Sequence, residues 1–322
     1  MTVNAIKPGW VKPETILFAS EMPVNETAFE SALAQAREFK AELVLFHAYS
    51  TLRATFTESS GICHYDYEGT ECLEKQQLEP LTKRSRQAGV ESKVVVRSGH
   101  LDEQILIFAR ERGIDRIVMS MHSPGPMGKF PAGSVAESVL RHSVAPVYIV
   151  GPQVALPEPG VFATHTVLCA VNMHKSSEVV VRFAAELAAQ YEARLVLQHV
   201  IQPWKYAQAL TGSWLDELET KLLGLVPLES REKVQVEVIL VPGDLTEELL
   251  YHSQVQQADL IVLGAHEGAA SAGATHHDLA CEVIAQAHCP VITLSPVVLA
   301  ERCADYSVRS TFDVECSFSH SS

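Results

Sequence analysis

The chain has 322 residues, 47% of them hydrophobic and 20% charged, with a formal net charge of −14 at neutral pH. That composition supplies core for about two ordinary domains. The acidic balance excludes nonspecific binding to nucleic acid or anionic lipid, which needs an excess of Lys and Arg, and no apolar run approaches the roughly 18 residues of a membrane span.

Residues 1–13, with prolines at 8 and 13, read as an extended leader. They lack a basic segment, an apolar stretch and a small-residue cleavage site in sequence, so they do not read as a secretory signal, and the expected compartment is the cytoplasm. Seven cysteines without a C-x-x-C pair suggest neither a disulfide framework nor a zinc finger.

From Glu14 the pattern becomes regular. Thr15–Ser20 reads as a buried strand and Glu21-Met22-Pro23 as a turn. A helix follows, with the apolar stripe Ala28, Phe29, Ala32, Leu33, Ala36 and Phe39 and with Asn25 as its N-cap. Glu42–Ala48 is a second apolar strand. Such strands alternating with helices predict a parallel sheet covered on both faces, because each right-handed crossover lays its helix on a face. After the polar, irregular stretch 49–70 comes a helix from about Cys72 to Gln87. Then follow a strand at Ser92–Arg97, a helix at Leu101–Arg112 stopped by Gly113, and a fourth strand at Arg116–Ser120. A loop rich in glycine and proline leads to Gly133-Ser134, which opens an amphipathic helix, and Ala145–Val150 is a fifth strand. The first domain is thus 14–151 and the linker 152–164.

The same order then recurs in 165–296. Thr166–Val171 is a strand, Ser176 or Ser177 caps a helix striped by Val180, Phe183, Ala184 and Leu187, and Arg194–Val200 is the next strand. Ala41 and Ala193 open matching heptapeptides at an offset of 152 residues. Gly99 and Gly243, Ile117 and Ile261, His122 and His266, and Pro146 and Pro290 all match at 144. A constant offset over several landmarks identifies two copies of one unit. Residues 297–322, polar and serine-rich, fall outside the repeat and are expected to form a mobile tail.

The loop from the fourth strand to Gly133 carries the chemistry. A crossing from a strand's carboxyl end to a helix N-terminus turns backbone N–H groups and the positive end of the helix dipole into one crevice, which favours a phosphate. The plainer alternative is that Gly133 relieves crowding while Ser134 and Glu137 form a capping box. His276, His277, Asp278, Cys281 and Glu282 lie close in sequence, as do Cys63, His64 and Cys72. Neither group has a second ligand pair at recognisable spacing, so no metal is assigned. His47 and His199 end equivalent strands and are read as satisfying hydrogen bonds at the sheet rim.

Residues Ile117–His122 and Gly133–Val147 carry a resemblance to the universal stress protein family, and the repeat makes the chain resemble a tandem member from Glu14 to Pro296. The resemblance implies an α/β fold of two Rossmann-like, adenine nucleotide alpha hydrolase-like domains. Each would have a five-stranded parallel sheet of order 3-2-1-4-5 with helices on both faces, and the two would pack as an intramolecular pseudo-dimer, with homodimerisation a further option. It also implies ATP or another adenine nucleotide, with Mg²⁺, held weakly in the first domain by Ala19, Ser20, Glu21, Ala48, Met119, Ser120, His122, Ser123, Gly133, Ser134 and Val135.

The family loop follows G-x2-G-x9-G-[ST]. Here Ser120 and Ser123 replace two glycines, Glu21 replaces an Asp, and Gly125, Gly128 and Lys129 offer compensation. If left-handed backbone is needed, each serine costs about 1–2 kcal/mol. The second copy reads Gly264, Glu267, His277 and Asp278, with Asn172 after its first strand. Asp278 would face a phosphate with a repulsion of about 4 kcal/mol at close range, so this copy is not expected to bind ATP in the family manner. There is no S-G-G-x-D-S loop, H-x-G-H, nucleophile elbow or Walker loop, so no catalytic residue is nominated and at most slow ATP hydrolysis is implied. The expected role is a stress-response binding or regulatory module. The alternative is a nucleotide-free scaffold with both loops decayed, and its protein partners are not specified by the sequence.

Overall fold

The computed structural model describes residues 6–20, 22–49, 67–121, 133–156, 163–174, 176–201, 212–264 and 279–304. In the first half, helix α1 (Pro8–Val11) precedes β1 (Thr15–Ala19), α2 (Glu26–Phe39), β2 (Glu42–Tyr49), α3 (Tyr67–Gln87), β3 (Ser92–Ser98), α4 (Leu101–Arg112), β4 (Arg116–Ser120), α5 (Ser134–His142) and β5 (Val147–Val150). The second half holds β6 (Thr166–Ala170), α6 (Ser177–Tyr191), β7 (Arg194–Ile201), α7 (Gly212–Leu225), α8 (Leu228–Arg231), β8 (Val236–Pro242), α9 (Leu245–Val255), β9 (Leu260–Gly264), α10 (Leu279–Gln286), β10 (Val291–Leu294) and α11 (Pro296–Ala304).

The ten strands form one sheet in the order β3-β2-β1-β4-β5-β10-β9-β6-β7-β8. Within each half every pairing is parallel. The halves meet through the antiparallel pair β5–β10, with Val147 opposite Thr293 and Ile149 opposite Val291. Two five-stranded sheets are therefore fused into one rather than packed as separate bodies. Gly151 makes the fusion possible, since a Cβ there would lie 2.0 Å from the Ile284 carbonyl oxygen of α10.

Alternate residues along each strand feed two apolar layers that run through both halves. Ile16, Phe18 and Val118 meet α2, α6 and their neighbours, and Leu17, Ile117 and Met119 meet α4, α5, α9 and α10. Asn25 caps α2 as expected, its Oδ1 accepting from Ala28 N at 2.9 Å. Gly113 ends α4 in the left-handed conformation.

Two segments depart from the sequence reading. The leader, read as extended, contains α1, and Ile6, Trp10 and Val11 are buried in the first layer. The segment read as a mobile tail opens with α11, whose Val298 and Leu299 are buried; residues 305–322 lie outside those described.

α1 is held by Arg116, which is wholly buried. Its guanidinium donates to Trp10 O (2.8 Å), Gln35 Oε1 (2.8 Å) and Tyr191 Oη (3.1 Å), and it lies 5.6 Å from the centre of the Phe39 ring. One side chain thus ties α1, α2 and β4 to α6 of the other half. Replacing Arg116 by Leu, the residue at the equivalent position 260, removes the shared donor from those acceptors. It should lower the urea-unfolding free energy by about 3 kcal/mol.

Burial pushes the thiols of Cys169 and Cys289 up to about 12, while Cys72 is exposed. Since the thiolate is the reactive species, iodoacetamide at pH 8 should alkylate Cys72 and spare Cys169 and Cys289 in the folded chain, as read by peptide mass spectrometry.

Candidate functional site

The sheet order reverses between β1 and β4, and the carboxyl ends of those strands form the crevice where open α/β sheets place ligands. Ala19 and Ser20 end β1 there, and Met119 and Ser120 end β4. Ala48 lies near the end of β2, and Gly133, Ser134 and Val135 open α5. The structure therefore brings eight of the sequence candidates to one rim. Glu21, His122 and Ser123 lie outside the described residues, as do Gly125, Gly128 and Lys129.

Most of the rim is apolar and closed. Ala19, Ala48 and Met119 are buried. Ser20 is also buried, and its backbone N–H donates to Phe46 O at 2.9 Å. Its Oγ has no partner among the described residues, an orphaned hydroxyl at the strand end. His47 fixes this corner, its Nδ1 bonding Ser20 O at 2.9 Å. A carbonyl only accepts, so Nδ1 carries the hydrogen, and Nε2 stands 3.5 Å from the carboxylate of Glu74 on α3. In the second half His199 Nδ1 bonds Val171 O at 2.6 Å. Both histidines make the rim hydrogen bonds read from the sequence.

The start of α5 differs from a capping box. Gly133 is the N-cap, at φ +80° and ψ +38°, and among the described residues no side-chain oxygen caps the helix. Ser134 is the first helical residue and is exposed, and Glu137 turns forward to Arg141 at 2.9 Å instead of back to the cap. Glycine is required at 133 on two counts, since a Cβ would be left-handed and would lie 2.9 Å from Met121 Cγ. Among the described residues no side chain bonds the first N–H groups of α5, which follow β4 at the switch point with the helix dipole behind them, an arrangement suited to an anion. Ser120 lies in regular strand, in register with Val150, and is not among the residues with positive φ. The expected cost of serine for glycine therefore does not arise there.

The second half is built differently at the equivalent corner. Asn172 Oδ1 accepts from Ser177 Oγ (2.6 Å) and His174 N (3.0 Å), so it is engaged in starting α6. Ser176 holds the N-cap position without a capping side-chain bond. Glu267, His276, His277 and Asp278 are outside the described residues, and the Glu282 carboxylate accepts from Thr246 Oγ1 at 3.2 Å. Among the described residues no group of three or more His, Cys, Asp or Glu is placed to hold a metal.

Sequence reasoning missed one pair of residues that positions both rims. Asp115 Oδ2 accepts from Glu14 N and Thr15 N, and Asp259 Oδ2 accepts from His165 N and Thr166 N. Each stitches the start of its half's first strand to the start of the fourth. The signal was present, since Asp115 and Asp259 stand at the same 144-residue offset as the other landmarks.

A family model described as the universal stress protein family matches residues 13–151 and 163–295. Universal stress protein YxiE of Bacillus subtilis is 28% identical over 134 residues, which is 39% of this chain and 90% of that protein. A universal stress protein from Archaeoglobus fulgidus shares the fold with a TM-score of 0.63 at 18% identity, covering 87% of this chain and 96% of that one. A functionally unknown protein from Pseudomonas aeruginosa PAO1 does so with a TM-score of 0.64 at 15% identity, covering 94% and 100%. The fold and its rim define a tandem α/β protein of two Rossmann-like units. The chain belongs to the universal stress protein family, with one family unit in each half.

Capping can be tested directly. Ser134→Ala should change stability by less than about 0.5 kcal/mol, because its hydroxyl caps nothing, whereas Asn25→Ala should cost about 1 kcal/mol. Equal losses in chemical denaturation would restore the capping box.

Proposed function

We propose that the chain is a stress-response binding module whose first half holds an adenine nucleotide and whose second half serves as a structural or protein-contact unit. The observation that carries this reading is the start of α5, where the left-handed Gly133 opens a helix that no described side chain caps, at the switch point of the sheet. The phosphates would lie against the N–H groups following Gly133, with Ser134 Oγ exposed beside them, and Ser20 Oγ supplies a further unpaired group at the rim. Ala19 and Ala48 would border the base. The charge on the nucleotide is met by backbone dipoles and, where Mg²⁺ accompanies it, by that ion.

The second half supports a different role. Asn172 is committed to its own loop, and the acidic Asp278 follows at the position of the phosphate-holding serine. A nucleotide held in one half only, beside a half that does not respond to it, suits a regulatory module whose output is a protein contact.

Titration calorimetry with ATP, together with mass spectrometry of ligand released from freshly purified protein, tests this. The expected result is one adenine nucleotide per chain, with affinity reduced in Gly133→Val and unchanged in Asp278→Ser. Two per chain would refute the division of labour. No binding in either assay would leave a nucleotide-free scaffold, and rapid turnover of ATP would make the chain a hydrolase.

A further inference from the structure

The two halves differ most sharply in a place the nucleotide reading does not touch. In the first half Phe46 of β2 packs on Phe108 of α4, with ring centres 5.3 Å apart, and Arg97 lies over Phe108 at 4.9 Å. At the offsets that relate the repeats, these positions are Gln198 of β7, His252 of α9 and Val241 of β8. Where the first half packs two aromatic rings, the second half carries two polar side chains at the equivalent positions.

The polar pair is incompletely satisfied. Gln198 is 1% exposed, and its Nε2 donates to the Glu248 carbonyl at 2.9 Å, which fixes the amide and leaves Oε1 as the remaining acceptor. His252 lies one turn further along the same face of α9, with Nε2 3.7 Å from the Glu248 carboxylate. Tyr251 meets the His252 ring edge-on, with centres 5.1 Å apart. Gln198 Oε1 and His252 Nδ1 are both buried without a partner among the described residues. The two atoms do not bond one another, and Gln and His are each smaller than the Phe at the equivalent positions, which leaves room for a small molecule that serves both.

We infer that the second half holds a site for one small hydrogen-bond donor, an ordered water molecule, between β7 and α9, bridging Gln198 Oε1 and His252 Nδ1. Water fits because its one oxygen atom can both donate and accept. A metal ion is poorly served by one imidazole nitrogen and one amide oxygen. The consequence is that α9 rests on a hydrated contact where α4 rests on packed rings, which makes α9 the more easily opened of the two equivalent helices.

A high-resolution crystal structure of the full chain should show one solvent peak within hydrogen-bond reach of both atoms and none between Phe46 and Phe108. A direct Gln198–His252 bond or a dry pocket overturns the inference. So does a peak about 2.1 Å from Nδ1 with anomalous signal, which would be a metal. In solution, amide hydrogen exchange should be several-fold faster in α9 than in α4. The double variant Gln198→Phe with His252→Phe should bring α9 toward the α4 rate, and Gln198→Leu with His252→Leu serves if the larger rings prevent folding. Unchanged α9 exchange in a folded variant refutes the hydrated contact.

Discussion

A positive charge sealed in the interior governs how the two halves and the leader come together. Arg116 is fully buried, and its acceptors are an amide oxygen, a tyrosine hydroxyl and two backbone carbonyls rather than a carboxylate. A buried guanidinium is tolerated only when its N–H groups are largely met, and here Nη1 and Nη2 are met from three separate elements, α1, α2 and α6, while Nε has no partner among the described residues. Each must be in place before the charge can be buried. Burial raises the Tyr191 hydroxyl while Arg116 pulls it the other way, so the phenol stays protonated and accepts from the guanidinium as a neutral group. Specificity of assembly follows from this. A leader that lacked Trp10 O, or a second half that lacked Tyr191 Oη, would leave part of a buried charge unmet.

With the halves fixed, the rims are placed by simpler means. Asp115 and Asp259 each collect two N–H groups at the entrance to a first strand, on the amino side of the sheet, and so fix the register of first and fourth strands. The same two strands deliver the rim at their carboxyl ends. His47 and His199 then fix the carbonyls that close the first strands. The candidate crevice is thus built from outside inward, by polar groups that fix the backbone of its strands.

The strands, the repeat and the rim were legible in the amino-acid order because parallel strands buried on both faces are continuous apolar runs and because two copies reinforce each other's pattern. What was not legible depends on distant partners. Arg116 at the head of a strand reads as an edge residue, and its burial is decided by Trp10 and Tyr191, which no local pattern connects to it. The four-residue α1 is too short to show a period. The apolar Val297-Val298-Leu299 of α11 was outweighed by the serine-rich residues that follow. At the site, the Ser134-x-x-Glu137 spacing suggested a cap, but the left-handed Gly133 took that position and Glu137 found Arg141. Spacing can nominate a cap, but backbone conformation decides which residue holds it.

Covalent linkage of the copies explains why they could diverge in this way. In a pair of identical halves every junction residue occurs twice, and the group facing Arg116 from the other half would be the counterpart of Tyr191, which is Phe39, with no hydroxyl to accept. The buried charge therefore suits only a pairing of unlike halves, and a tandem chain supplies that pairing in every molecule. Once each half always meets the other, the two need not stay alike. The first retains an open helix N-terminus above a packed aromatic contact, while the second turns its corner asparagine inward and admits polar groups beneath α9. The asymmetry at the junction and the asymmetry at the rims thus share one physical origin, the release of each copy from having to pair with itself.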